Sequence, residues 1–216
     1  MSQSSPPQFW VLFGTAQAST DVWGIRRIHF PCGYSMPATA YAPSGGPLHR
    51  PFNGEVWAMG GIAFEIGKGG KDIAIEQASD HVAGYRPWIG LFHHNLLDEL
   101  QANQHTIMVW DQGVSMFYGL WRDACQILGS CVSPTVMQQQ TEAPVSLLVG
   151  ADVAQGEAPK SYEHEAATVI HFMSQFMTLS PGDVYVLGPL VAHRIAPDVR
   201  NLSLRAMGGD FSVEVL

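Results

Sequence analysis

The stretch Ser174-Gln175-Phe176-Met177-Thr178-Leu179-Ser180-Pro181-Gly182-Asp183-Val184 carries the end of a helix, a tight turn and the start of a strand. Glu163–Met177 reads as the clearest helix of the chain, because Ala166, Val169, Ile170, Met173 and Met177 fall on one face. Glu163 and Glu165 stand in its first turn, where the helix dipole favours negative charge. Ser180-Pro181-Gly182-Asp183 then puts Pro and Gly at the two central positions of a type II turn. Val184–Leu187 follows as a strand.

Working outward, Phe9–Phe13 reads as a first strand, residues 14–24 as a turn and Ile25–Phe30 as a second strand. Residues 31–54 are rich in Pro, Gly, Ser and Ala without a sustained period, which predicts a functional loop or a cover. Val56–Ile66 is extended and apolar and closes on Gly67-Lys68-Gly69-Gly70. Ile75, Ala78 and Val82 recur at helical spacing, with Asp72 as N-cap and Gly84 as stop. Residues 106–118, Val145–Val149, Leu202–Ala206 and Phe211–Val215 read as further strands. No repeat and no dividing linker is visible. Residues 1–27 are therefore read as a tail with a short strand and 28–216 as one domain.

The composition sets limits on function. With 46% hydrophobic and 14% charged residues, the 216-residue chain buries a sizeable core. Twenty-two glycines and fourteen prolines favour many turns and a β-rich architecture. A net charge of −8 argues against nucleic acid, and the absence of a basic run argues against an anionic membrane surface. No charge-poor apolar run is long enough to span a bilayer. The first eight residues lack a basic region and Phe9–Phe13 is too short for a signal core, so a flexible tail and a cytoplasmic protein are expected. Cys32, Cys125 and Cys131 match no zinc or disulfide pattern and are expected to be buried free thiols.

Two passages together resemble the fumarylacetoacetate hydrolase family. One runs from Ala63-Phe64-Glu65-Ile66-Gly67-Lys68-Gly69 through Ile75-Glu76-Gln77-Ala78 to His81-Val82-Ala83-Gly84-Tyr85; the other is Ser174–Val184. Weaker likenesses lie at Cys32-Gly33-Tyr34, Leu128-Gly129 and Leu148–Val153, so the resemblance covers about residues 28–190. It implies an α+β, mostly β fold: a mixed β-sandwich roll with a few short helices. It also implies enzymes that cleave or decarboxylate small 2-oxo and diketo acids with Mg²⁺ or Mn²⁺ held by carboxylates.

Carried over residue by residue, the resemblance puts the two alternating metal carboxylates at Met59 and Gly61 and the third at Gly90. The family's nearby Arg falls close to His94, its catalytic His and Glu near Pro37 and Ala40, and its Thr-Gly-Thr on Leu187-Gly188-Pro189. A Lys-containing segment is shortened in Phe52–Val56. A thioether and two glycines cannot cage a hard cation, so no bound metal is expected. Glu55 and Glu65 share the strand parity of Met59 and Gly61; either they rebuild a site or they cap a strand end and a solvated edge. His93 and His94 point to opposite faces of an extended segment, and parity favours His94 for the old site.

The candidate catalytic residues are thus His94, His193 and Tyr34, and the candidate substrate-binding residues Arg86, Trp88, Leu187 and Gly188. A His94–His193 pair would suit acid–base work or a borderline metal; the alternative is separate surface or capping histidines. His164 and His171 lie on or beside the long helix, and His171 is expected to be a packing residue. Asp123 is expected to be structural, and Asp111 shares its region. Gly67–Lys71 lacks the spacing of a phosphate loop, and His49-Arg50 either meets an anion or is solvated.

Two functions stay open at this point. One is an altered, metal-independent enzyme or binder of a small 2-oxo or diketo acid, of lyase, decarboxylase, isomerase or hydrolase type. The other is a non-catalytic subunit that forms a homodimer or pairs with an active family paralogue. An enzyme keeps a cleft with convergent polar groups; a packing subunit has it filled by Met59, Trp88 and Leu187.

Overall fold

The computed structural model describes residues 7–24, 28–50, 56–94, 102 and 118–216. The expected strand at 106–118 and the residues Glu55 and Asp111 lie almost wholly outside that set, as do residues 1–6, 25–27 and 51–55. In chain order the strands are β1 (Phe9–Leu12), β2 (Gly33–Met36), β3 (Val56–Ile66), β4 (Val82–His93), β5 (Gln126–Leu128), β6 (Ser146–Val149), β7 (Asp152–Gln155), β8 (Val184–Ile195), β9 (Asn201–Ala206) and β10 (Gly209–Glu214). The helices are α1 (Gln17–Trp23), α2 (Ile75–Ala78), α3 (Pro134–Gln139) and α4 (Ala166–Phe176).

Six strands form one sheet in the order β2-β1-β8-β3-β4-β5, and four form a second in the order β10-β9-β6-β7. The β1–β8 pair is parallel and the remaining pairs are antiparallel, so the first sheet is mixed. The sheets pack face to face: a Cβ at Gly60 of β3 would stand 2.5 Å from Leu204 Cδ1 of β9. Ile62, Phe64, Ile89, Leu91 and Leu204 are fully buried in the core. Each such side chain contributes roughly 1.5–3 kcal/mol by leaving water. The mostly β sandwich with few short helices is the expected fold. No helix among the described residues is long and apolar enough to cross a membrane.

The Pro-Gly-Asp passage works as its sequence suggests. Gly182 has φ 89°, which the second central position of a type II turn requires. Asp183 is 3% exposed. Its Oδ2 accepts from Ser180 N at 2.8 Å and its Oδ1 from Gln8 N at 2.9 Å. The turn therefore aligns the start of β8 beside β1, with Val184 N donating to Gln8 O at 2.8 Å.

Several elements differ from the sequence expectation. Residues 14–24 hold the helix α1, not a simple turn. Its N-cap, Ala16, has no capping side chain. The cap comes from far along the chain: Glu157 Oε1 accepts from Gln17 N at 2.8 Å and Ala18 N at 3.3 Å. Gly24 closes the helix at φ 66°. The irregular stretch 31–54 contains strand β2, and residues 28–30 form no strand. Asp72 is not an N-cap; it sits at φ 51°, and α2 starts after Ala74. Gly84 does not stop a helix but lies inside β4, where a Cβ would meet Cys131 Sγ and Val132 O at 2.5 Å. Of the three free thiols, Cys125 is buried, Cys32 is half-buried and Cys131 is exposed, so burial holds for only part of the set.

Candidate functional site

The unbroken β3–β4 register from Val56 to Glu65 decides which side chains share a face. Met59 pairs with Gly90, Gly61 with Trp88 and Ala63 with Arg86, and all six lie on one face. This is the face where the family resemblance puts its metal carboxylates. Ala58, Ile62 and Phe64, with Pro87 and Tyr85, lie on the other.

That inherited face is filled. Met59 and Trp88 are 0% exposed. Trp88 Nε1 donates to Gln126 Oε1 at 2.6 Å, and both side chains are buried. A Cβ at Gly90 would stand 2.5 Å from that same Oε1. At Gly61 it would stand 2.2 Å from Gly188 O and 3.1 Å from Tyr162 Oη. A thioether and two glycines without room for a Cβ do not supply the oxygen ligands Mg²⁺ or Mn²⁺ takes. Among the described residues no three His, Cys, Asp or Glu side chains gather as a metal cluster.

Helix α1 lies over the same face. At one end, a Cβ on Gly188 (φ 99°) would meet Thr15 Oγ1 at 2.6 Å and Ser19 Oγ at 3.3 Å. At the other, Trp23 packs edge-on against Phe92, with ring centroids 6.2 Å apart. Ser19 Oγ and Trp23 Nε1, one helical turn apart, are buried without a hydrogen-bond partner among the described residues. Under the helix, Thr15 Oγ1 donates to Leu187 O at 2.5 Å. Tyr162 Oη donates to Gly188 O at 2.8 Å and accepts from Ile62 N at 3.1 Å. It bridges the two strands where their register shifts around Gly61. Burial holds the Tyr162 phenol far above its ordinary pKa, so it acts as a neutral pin.

The sequence-derived candidates do not converge. His94 is exposed and stacks on Trp57 at 5.6 Å, on the inherited face. His193 pairs with Ala58 and therefore faces the opposite side, so the sheet separates the two histidines. Tyr34 sits on the edge strand β2, with its ring 4.9 Å from Phe13. That is three strand spacings from β3, or roughly 14 Å. Arg86 donates to Glu65 Oε2 through Nε at 2.9 Å and Nη2 at 2.8 Å, and to Gly129 O through Nη1 at 3.1 Å. Both bonds converge on the one carboxylate oxygen; they occupy the guanidinium and show Glu65 to be half-buried and paired rather than solvated. Leu187 is buried, and Gly188 is enclosed by Thr15, Leu12 O and Ser19.

Other singled-out groups have structural roles. His164 Nε2 bonds to Ile28 O at 2.8 Å, and His171 Nδ1 to Ile73 O at 2.7 Å. Lys71, from the Gly-Lys-Gly-Gly-Lys loop, donates to Gln175 O at 2.8 Å and Ser174 O at 3.3 Å, satisfying carbonyls at the end of α4. Asp123 is exposed. Burial pushes the Cys125 thiol up to about 11.

An open cleft of about 590 Å³ adjoins the filled face, since Tyr162 and Leu187 line it. Its wall includes Tyr85, Met137, Lys160, His164, Glu165 and Leu187. Burial, and then the Glu165 carboxylate, raise the Tyr85 pKa. Sequence reading missed this cleft, the Tyr162 pin and helix α1. For α1 a signal existed, in Ala16-x-x-Ser19-x-x-Val22 ahead of Gly24. Tyr162 carries no local signal.

Comparison with known proteins follows the same lines. The family described as fumarylacetoacetate (FAA) hydrolase C-terminal matches residues 16–200. The oxaloacetate tautomerase fahd2, mitochondrial, of Xenopus laevis is 28% identical over 128 residues, 59% of this chain. The matched region spans only 37% of that relative's length. Among solved structures, a fumarylpyruvate hydrolase from Pseudomonas aeruginosa in complex with Mn²⁺ and pyruvate superposes with a TM-score of 0.78 at 22% identity, covering 100% of this chain and 92% of that one. A 5-carboxymethyl-2-hydroxymuconate delta-isomerase from Mycobacterium smegmatis gives 0.72 at 20% identity, covering 97% and 78%. At those identities the likeness is one of fold. With the family match running from α1 through β8 and the Pro-Gly-Asp turn, the chain belongs to the fumarylacetoacetate hydrolase family.

Proposed function

We propose that this chain is a non-catalytic member of its family that acts as a binding or partner subunit rather than running the metal-assisted reaction. The observation that carries the reading is the 2.2 Å separation between a Cβ at Gly61 and Gly188 O, beside the fully buried Met59 and Trp88. Where relatives would need carboxylates around a hard cation, this chain has apolar packing and a tyrosine pin. The partner is a second copy or a family chain that keeps its own ligands. Phe30 and Phe176, exposed by 54% and 67%, lie on either side of Phe172, the first stacked on it and the second tilted against it, and support a contact surface beside α4. A cytoplasmic location fits three free cysteines.

The test uses the purified full chain. Titration calorimetry with Mn²⁺ and Mg²⁺ is expected to give no saturable binding. Assays for oxaloacetate tautomerisation and fumarylpyruvate hydrolysis are expected to match the blank. Stoichiometric Mn²⁺ binding or metal-dependent turnover would sink the reading.

A further inference from the structure

We infer that Arg50 and Arg200 form an oxyanion site at the junction of the Leu48–Arg50 segment, the end of β10 and the loop between β8 and β9. This site is independent of the inherited face and of the function proposed for it. The backbone sets the geometry. Arg50 N donates to Leu216 O and Val215 N donates to Arg200 O, each at 2.8 Å, so the two arginines flank the same stretch of chain. Both side chains turn to the β8–β9 loop: Arg50 Nη2 donates to Ala196 O at 2.6 Å, and Arg200 Nη1 to Pro197 O at 3.2 Å.

What remains of Arg50 is unmatched. Its Nε and Nη1 atoms are buried and have no acceptor among the described residues. Among the described residues the side chain has no ion-pair partner. A guanidinium stays charged, so its buried N–H groups lose water without a replacement. Burial is the largest influence lowering the Arg50 pKa, the neighbouring Arg200 charge adds to it, and Asp198 opposes it. Buried cationic donors beside a second cation are an incomplete ion pair. The missing component is an anion with several acceptor oxygens, a phosphate or a carboxylate. The chain as a whole carries a net charge of −8. Long-range attraction therefore does not draw anions here, and recognition rests on the buried donors.

Thermal unfolding of the full chain in a zwitterionic buffer tests this, with phosphate, pyruvate and chloride compared at equal ionic strength. Phosphate or pyruvate is expected to raise the midpoint above the chloride control, and the difference between them identifies the preferred oxyanion. Calorimetric affinity for that anion should fall by about tenfold or more in Arg50→Met and in Arg200→Gln. Two results overturn the inference: no stabilisation beyond chloride, or an anion response that persists in both variants.

Discussion

Tyr162 Oη lies 2.8 Å from Gly188 O, and that hydrogen bond ties the segment before α4 to β8 beside the register shift at Gly61. The same oxygen accepts from Ile62 N at 3.1 Å. In Tyr162→Phe both backbone groups lose their buried partner. The expected cost is about 1–3 kcal/mol in denaturant unfolding, with faster amide exchange at Ile62. An unchanged unfolding midpoint would show that water replaces the phenol without loss.

Placing carboxylates at the two β3 positions that the resemblance assigns to the metal should fail for a steric reason. Gly61→Ala puts a methyl group 2.2 Å from Gly188 O and is expected to cost at least about 1–3 kcal/mol. Met59→Glu with Gly61→Glu is expected to unfold at lower temperature still and to gain no Mn²⁺ affinity. Melting curves and Mn²⁺ titration check both. A folded double variant that binds Mn²⁺ stoichiometrically would mean that β8 can yield.

Trp88 and Gln126 form a closed buried pair at 2.6 Å. Trp88→Phe leaves Gln126 Oε1 without that donor and should cost about 1–3 kcal/mol. Adding Gln126→Leu should recover part of the loss, since removing both polar groups costs less than orphaning one. A double-mutant cycle with no coupling would contradict the pairing.

Glu157 caps α1 through Gln17 N and Ala18 N. Glu157→Ala should destabilise the protein by about 0.5–2 kcal/mol and lower exchange protection across Gln17–Trp23 first. Equal loss of protection everywhere would assign Glu157 a global rather than a capping role.

Burial also gives a pH dependence. Burial is the first cause raising the pKa of Tyr41, Tyr162 and Tyr185 from the ordinary value of 10.0. The folded chain keeps protons that the unfolded chain releases once pH passes that value. Stability is therefore intact below pH 10.0 and declines as pH rises beyond it. Phenolate absorbance from these three rings should appear together with the loss of circular dichroism. Ionisation well before unfolding would show that the rings are open to solvent.

Local chemistry made much of the fold legible. Pro181, Gly182 and Asp183 dictate their turn through a fixed φ, a positive φ and a short acceptor, whatever surrounds them. The 3.6-residue spacing of Ala166, Val169, Ile170 and Met173 dictates a helix in the same way. The long strands β3 and β8 followed from apolar runs, and β3 also carried the register that identified Met59, Gly61 and Gly90 as the positions to examine.

The site was less legible because its parts meet only in three dimensions. Helix α1 is capped by a carboxylate about 140 residues away, so no neighbouring residue announces its start. His94 and His193 looked like partners in the chain, yet alternation on paired strands places them on opposite faces. Trp88 looked available to a substrate until Gln126, from β5, proved to hold its N–H.

By itself, the sequence determined that Met59, Gly61 and Gly90 bear no carboxylate, because side-chain identity needs no coordinates. Only the tertiary structure decided that those positions are closed. Closure depends on which backbone carbonyl, indole and phenol arrive from β8, β4 and the segment before α4. Those approaches are set by strand pairing and packing, which no single stretch of the chain encodes.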